Sequence, residues 1–164
     1  MCGSLMAAEV RTFVVSDSGE FIPIESCGIS FSRDRRIQGA IEFCVDGVQI
    51  FGRNDIDTID ALWSLILTYL EHFIAGEGGV LNFPERSFML DLKRVSGGNV
   101  VVKFVGRDEK RTALSREKAV LGALASGAVE FFSAVLNSSP KEEWSYRRDL
   151  GAAVRLHEEY PYIE

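Results

Sequence analysis

The chain has 164 residues, of which 46% are hydrophobic and 26% charged, and its net charge at pH 7 is −6. This length and balance are typical of one folded domain and exclude a largely disordered chain. Because a phosphate backbone attracts a basic surface, the charge disfavours nucleic acid as a partner and favours a basic or neutral protein.

The first half of the chain begins with β-type patterns. Residues 10–15 and 21–24 predict two short strands around a polar turn, and Pro23 places the second near a sheet edge. A hairpin follows around Asp46-Gly47. We expect Val45 opposite Val48 and Phe43 opposite Ile50, with one apolar face toward the core.

The strongest helix pattern runs from Ile59 to Ile74, where apolar residues recur at the i, i+3, i+4, i+7 spacing. Asp57 is the expected N-cap, and Asp55 and Asp60 suit the positive end of the helix dipole. Gly76 suits the C-terminal cap.

The second half repeats this order. Strands over residues 88–93 and 100–104 share an apolar face if a three-residue loop, Gly97-Gly98-Asn99, joins them. A long helix is expected from Ser115 to Leu136, so widely apolar that it must be covered on two sides. A third helix should begin at Pro140 and run toward Tyr160, with buried residues Trp144, Leu150 and Val154.

Each half therefore contains a hairpin, a short Gly-Arg-polar-acid segment that we call a knuckle, and a long helix. The knuckles are Gly52-Arg53-Asn54-Asp55 and Gly106-Arg107-Asp108-Glu109. The pattern predicts a single α+β domain over residues 1–164, with a mainly antiparallel sheet of six or seven strands, two long amphipathic helices on one face and a C-terminal helix. The same pattern also suggests that the two halves form an internal ββα pseudo-repeat. In an alternative arrangement, the chain forms a homodimer in which a second copy covers the apolar surface of the second helix.

Three cysteines bear on the compartment. Cys2, Cys27 and Cys44 are odd in number and lack a C-x-x-C spacing, which argues against a disulfide framework and a zinc site. We therefore expect a reducing cytoplasm and no metal or cofactor. Residues 1–9 lack the segments of a secretory signal. Residues 119–139 include Glu130 and many small side chains, so we expect no membrane span, which takes about 20 strongly apolar residues.

Few residues offer catalytic chemistry. The two histidines, His72 and His157, are interpreted as boundary and surface residues. Ser115 and Lys118 match the S-x-x-K spacing, in which a lysine activates a serine nucleophile, but the companion motifs of such enzymes are missing. We interpret Ser115 as a helix cap. Most features therefore favour binding over catalysis, and whether the chain is an enzyme stays open.

Charge is distributed unevenly along the chain. No lysine or arginine occurs between Asn54 and Glu85, whereas residues 86–118 hold nine. We predict that Asp55, Asp57, Asp60 and Glu71 form an acidic docking surface for a partner protein. Arg53 and Arg107 hold matching places in the two knuckles. They are interpreted as a pair that grips a carboxylate or a partner loop, or else as structural partners of neighbouring acids.

Three functions fit these observations. The leading hypothesis is a non-enzymatic cytoplasmic interaction module that binds a basic or neutral protein. Immunity proteins that neutralise bacterial toxins are small, acidic and without catalytic motifs, as this chain is, although no residue is diagnostic of them. A second hypothesis is a small-ligand binder or enzyme with a pocket between sheet and helices, contacted by Arg53, Arg107 or His72. A third is a structural subunit of a homo-oligomer.

Overall fold

The first half of the chain forms a five-stranded antiparallel sheet, here called sheet A, in the computed structural model, which describes residues 7–162. Its strands are β1 (Ala8–Val15), β2 (Phe21–Pro23), β3 (Gln38–Val45), β4 (Val48–Phe51) and β5 (Asp57–Thr58). They lie in the order β2-β1-β3-β4, and β5 pairs with the beginning of β3.

The second half forms a separate four-stranded antiparallel sheet, called sheet B, in which neighbours along the chain are neighbours in space. Its strands are β6 (Leu81–Asn82), β7 (Met89–Val95), β8 (Asn99–Val105) and β9 (Lys110–Arg116). The two sheets meet where β9 lies against β4.

Three α-helices pack with these sheets: α1 (Ile59–Ile74), α2 (Glu117–Ser138) and α3 (Glu143–Glu159). Short 3-10 helices occupy Ile24–Ser26 and Pro140–Glu142. A continuous hydrophobic cluster takes residues from both sheets and all three helices. Within it, the indole of Trp63 on α1 donates a hydrogen bond to Thr12 on β1 at 3.1 Å.

The first hairpin confirms the predicted turn but not the whole predicted register. Asp46 and Gly47 both have positive φ, at 49° and 79°, as a two-residue hairpin turn of this type requires. Val45 pairs with Val48 as expected. A bulge then brings Phe51 opposite Phe43, where Ile50 was predicted. The extra residue lets both Ile50 and Phe51 be fully buried.

The second hairpin has the predicted three-residue loop, displaced by one position to residues 96–98. Val95 pairs with Asn99 across it, and Gly97 and Gly98 supply positive φ angles of 81° and 73°. The odd loop length places the apolar residues of both strands on the buried face, as expected. These residues are Leu90, Leu92, Val100, Val102 and Phe104.

The α+β class is confirmed, whereas the finer predicted architecture is not. In place of one sheet of six or seven strands, the described residues form nine strands in two sheets. The placement of both long helices on one face is likewise not confirmed, nor is the pseudo-repeat, because the seven-residue strand β9 separates the second knuckle from α2. That strand buries only small side chains, Ala113 and Ser115, and exposes Leu114. Its large apolar side chain therefore faces solvent, which is the opposite of the usual strand pattern.

Helix α2 is covered within the chain. By length and composition it is apolar enough to cross a membrane, but 61% of its apolar window is buried inside the structure. It contacts α3 on one side and β1 on another, which is the two-sided cover that the sequence demanded. The reason for invoking a second copy is thereby removed, although the oligomeric state itself stays a prediction.

The third helix presents an unexpected face. Trp144 and Val154, both predicted to be buried, are exposed, while Tyr146, Ala153 and Leu156 take the core positions.

The cysteines also depart from expectation. Cys27 is a free thiol and Cys44 is disulfide-bonded; Cys2 and residues 1–6 as a whole lie outside the described residues.

Candidate functional site

Both knuckles contribute residues to one cleft of about 650 Å³, which we call the knuckle cleft. Residues 54–56 and 106–109 form two of its walls, and residues 85–88 form a third. Its aromatic lining residues are the half-buried Phe88 and the fully buried Phe104. Because the walls come from three distant stretches of the chain, the meeting of sheets A and B creates this site.

Hydrogen bonds within each knuckle fix its shape. In the first, the amide of Gly52 donates to the Asp55 carboxylate at 2.9 Å, and the amide of Asp55 donates back to the Gly52 carbonyl at 2.9 Å. In the second, the amide of Gly106 donates to the Glu109 carbonyl at 2.8 Å. Both segments are therefore tight turns that follow a strand.

Arg111, on β9, ties the two walls together. Its guanidinium donates to the Ile50 carbonyl at 3.1 Å and to the Asp55 carboxylate at 3.2 Å, and it also pairs with Glu109. Partial burial lowers the pKa of Arg111, but the hydrogen bond that it donates to Glu109 and the charge of Asp55 outweigh that effect and raise the pKa. Arg111 is thus a permanent cation that crosslinks β4, β9 and both knuckles.

Asp57 holds the third wall and is 0% exposed. Its carboxylate accepts the amides of Thr58 at 2.7 Å, Glu85 at 3.2 Å and Arg86 at 3.0 Å. The predicted N-cap role is therefore wrong, since Thr58 occupies that position and Asp57 lies in β5. Its carboxylate instead anchors the loop that carries Glu85 and Arg86 to the cleft.

Glu85 brings an ionised carboxylate to the cleft. It accepts a hydrogen bond from the Thr58 hydroxyl at 2.7 Å and pairs with Arg36 at 3.2 Å. The hydrogen bond from Thr58 lowers the pKa of Glu85, and the nearby charges of Arg36 and Arg86 lower it further against the opposing effect of desolvation.

Asp60 lies away from the cleft, buried between α1 and α3. It accepts hydrogen bonds from the Tyr146 hydroxyl at 2.8 Å and from the Ala61 amide at 2.8 Å, and the Arg33 guanidinium lies 3.9 Å away. Burial raises the pKa of Tyr146, and the charge and hydrogen bond of Asp60 raise it further. This carboxylate joins two helices.

The remaining predicted residues are more exposed but scattered. Glu71 lies on the outer surface of α1. The Arg53 guanidinium stacks on Phe13, 4.4 Å from its ring centre, and pairs with Glu42 at 3.3 Å, so it does not line the cleft. Arg107 does line the cleft and is exposed, and it forms no ion pair within residues 7–162.

The structure thus brings Asp55 and Arg107 together at the cleft, with Asp57 behind it, and leaves Asp60, Glu71 and Arg53 elsewhere. Asp55, Asp57 and Asp60 are buried and hydrogen-bonded, so the contact surface of the cleft comes from other side chains. Sequence reasoning overlooked Glu85, Arg86 and Arg111. The run of basic residues that begins at Arg86 and includes Arg111 was the available sequence signal for the two arginines.

Charged side chains of both signs line the cleft, so it can bind charged groups of a ligand or partner. Its lining has four carboxylates, from Asp55, Glu85, Asp108 and Glu109, and two guanidinium groups, from Arg86 and Arg107. Within residues 7–162, no group of three or more histidine, cysteine or acidic residues could hold a metal ion.

The S-x-x-K pair does not form a catalytic unit. Ser115 is buried with an unpaired hydroxyl, whereas Lys118 is exposed.

Comparison with protein-family models, curated proteins and solved structures found no match to this chain.

Proposed function

We propose that this chain is a non-enzymatic interaction module, similar in role to an immunity or adaptor protein, that holds a basic or neutral segment of a partner protein in the knuckle cleft. The observation that supports this most directly is the lining of the cleft. The exposed carboxylates of Glu85, Asp108 and Glu109 lie beside the half-buried ring of Phe88, and Asp108 forms no ion pair within the described residues. Such a lining favours a lysine or arginine from a partner.

Each part of the cleft has a distinct task in this proposal. The buried carboxylates of Asp55 and Asp57 hold the walls in place through Arg111 and the loop amides. Contact with the partner is made by Asp108, which is exposed and forms no ion pair within the described residues, and by the ionised Glu85. The aliphatic stem of the incoming side chain packs on the half-buried Phe88.

Affinity capture tests the cleft. The purified protein is immobilised, and bound proteins from a lysate of the source organism are identified by mass spectrometry. We expect a basic or neutral partner whose capture is lost in Asp108→Lys. Asp34→Lys makes the same charge change on an exposed loop away from the cleft, and it should retain the partner. Equal capture by wild type and both variants would eliminate the cleft as the docking site.

One feature favours a second candidate function, the binding of a small anionic ligand. Arg107 directs an unpaired cation to a cleft whose volume, about 650 Å³, lies within the range of small-molecule sites. A thermal-shift screen of small carboxylates should then find a stabilising compound that Arg107→Ala no longer binds. In the same assay Asp108→Lys should strengthen binding, the opposite of its effect on a basic partner.

A cytoplasmic location belongs to the same proposal. Protein disulfides are rare where glutathione keeps thiols reduced, so the redox state of Cys44 in cells reports on the compartment. Cell fractionation with thiol labelling measures both properties together. Recovery of the protein from an oxidising compartment, with Cys44 protected from the label, would contradict the cytoplasmic assignment.

A further inference from the structure

A single aromatic residue dominates the exposed apolar surface of the described chain. Trp144 is 76% exposed, the highest value among the large hydrophobic side chains of residues 7–162. It lies in the first turn of α3, where Tyr146, two residues later, takes the buried position. A large apolar side chain exposed to water in this way is typical of a hot-spot residue of a protein interface.

Two arginines share the helix face of Trp144. Trp144, Arg148, Gly151 and Arg155 follow one another at i, i+4, i+7 and i+11, and we call this set the α3 stripe. Arg148 and Arg155 are exposed and form no ion pair within the described residues. By contrast, the neighbouring Arg147, off the stripe, pairs with Glu143 at 3.3 Å.

Gly151 lets the guanidinium of Arg155 lie back along the stripe. A Cβ atom at position 151 would come 3.3 Å from Nη1 of Arg155. The guanidinium therefore rests over Gly151, one turn closer to Trp144 than its own backbone. The result is a continuous strip in which an indole and two unpaired cations face solvent.

We propose that the α3 stripe binds an acidic segment of a partner protein. An apolar side chain of that segment packs on Trp144, and two carboxylates pair with Arg148 and Arg155. The backbones of these arginines are seven residues apart, which corresponds to about 10.5 Å along the helix axis. Two acids placed two turns apart on a partner helix match this distance. This surface is separate from the knuckle cleft and opposite to it in charge preference.

The charges at the ends of the stripe favour this occupant over a polyanion. Glu159 lies four residues beyond Arg155 on the same face, and before Trp144 the cation Lys141 is balanced by Glu142, while Glu143 pairs with Arg147. A nucleic-acid strand or an anionic membrane would extend its negative charge past the stripe onto these acids. A second copy related by two-fold symmetry would place arginine against arginine.

Selection from a displayed library of random 14-residue peptides tests the proposal. We expect the peptides retained by the full chain to be acidic and to carry an apolar residue, and we expect Trp144→Ser not to retain them. Because Trp144 is exposed, that variant should keep the wild-type circular dichroism spectrum. Selection of neutral or basic peptides, selection of the same peptides by Trp144→Ser, or no selection at all would overturn the proposal.

Tryptophan fluorescence gives an independent readout, since the chain's other tryptophan, Trp63, is fully buried. A selected peptide should shift the emission of Trp144 to shorter wavelength, and Trp144→Phe should abolish the shift. The double variant Arg148→Glu with Arg155→Glu should weaken binding at least tenfold, while Lys93→Glu, a reversal on the exposed end of β7, should not. Tighter binding of a fluorescein-labelled oligo-dT or oligo-U strand than of the peptide would also refute the assignment.

Discussion

Individual carboxylates in this protein hold the fold together. Asp55, Asp57 and Asp60 cluster at the start of α1 in the sequence, and an acidic cluster at a helix start is ordinarily solvated. Here each is buried and serves a different neighbour: Arg111, the loop amides of Glu85 and Arg86, and the Tyr146 hydroxyl. Removal of a buried acceptor is costly because its hydrogen-bond donors then remain buried with neither a protein partner nor water to bond to.

Asp57→Ala should therefore destabilise the protein strongly. Three backbone amides lose their acceptor, and we expect the free energy of unfolding in urea to fall by roughly 2–4 kcal/mol. Asp34→Ala, at an exposed site, should change it by less than about 0.5 kcal/mol. If the two variants have the same stability, Asp57 does not anchor the loop.

The buried Tyr146 hydroxyl should make stability depend on alkaline pH. Since burial and Asp60 raise its pKa in the folded state above the ordinary value of 10.0, the unfolded chain loses this proton first as the pH rises. The stabilising contribution is complete below pH 10 and declines above it, by up to about 1.4 kcal/mol per pH unit.

Urea unfolding between about pH 8 and about pH 11 measures this decline. Tyr146→Phe should lower stability at neutral pH, because Asp60 loses a donor, and should flatten the alkaline decline. Some slope should remain, since burial also raises the pKa values of Tyr69 and Tyr160. A variant curve parallel to that of the wild type would rule out Tyr146 as the titrating group.

At the scale of elements, the helices differ in how closely they approach their neighbours. A Cβ atom at Gly127 on α2 would lie 2.6 Å from Val10 and 2.9 Å from Trp63, so β1 and α1 require a glycine there. At Gly151 on α3 the nearest atom belongs to the flexible end of Arg155. Glycine costs helix stability at both positions, but only at Gly127 does the packing of other elements require it.

Alanine substitutions at these two glycines should consequently have opposite effects. Gly127→Ala forces Val10 and Trp63 apart and should destabilise by about 1–3 kcal/mol. Gly151→Ala should stabilise by about 0.5–1 kcal/mol, because it removes the entropic cost of glycine without a backbone clash. Thermal unfolding followed by circular dichroism measures both. Stabilisation by Gly127→Ala would show that α2 can move away from β1 at no cost.

At the scale of the whole molecule, one polar side chain crosses the junction between the sheets, beside the apolar contact of Phe51 with Phe104. Arg111 on β9 reaches the Ile50 carbonyl on β4 and the first knuckle, where it neutralises the buried Asp55. Strand pairing within the sheets joins residues up to 37 positions apart, as between Ala8 and Val45, whereas this contact spans 61 residues. The knuckle cleft exists only while that junction is closed.

Arg111→Met should loosen the junction. It leaves Asp55 buried without its cation, and we expect a loss of about 2–4 kcal/mol together with faster amide hydrogen exchange in β4 and β9. Arg107→Met removes an exposed arginine from the same cleft and should cost less than about 0.5 kcal/mol. Similar exchange rates in the two variants would contradict a crosslinking role.

The sequence alone determined the features that depend on near neighbours. The periodicity from Ile59 to Ile74 predicted α1, Asp46-Gly47 predicted a hairpin turn, and the shared apolar face of β7 and β8 required the three-residue loop. Each follows from the geometry of a few consecutive residues, which is the same in any fold that contains them.

Only the tertiary structure decided what the charged residues do and where the site lies. The partners of Asp57, Asp55 and Asp60 are 28, 56 and 86 residues away, and Trp144 was left outside because Tyr146 filled the core position. A helical or alternating pattern does not record such distant contacts. Whether an acid faces water or a buried amide, and whether an indole is covered, is determined by which surfaces meet when the sheets and helices pack.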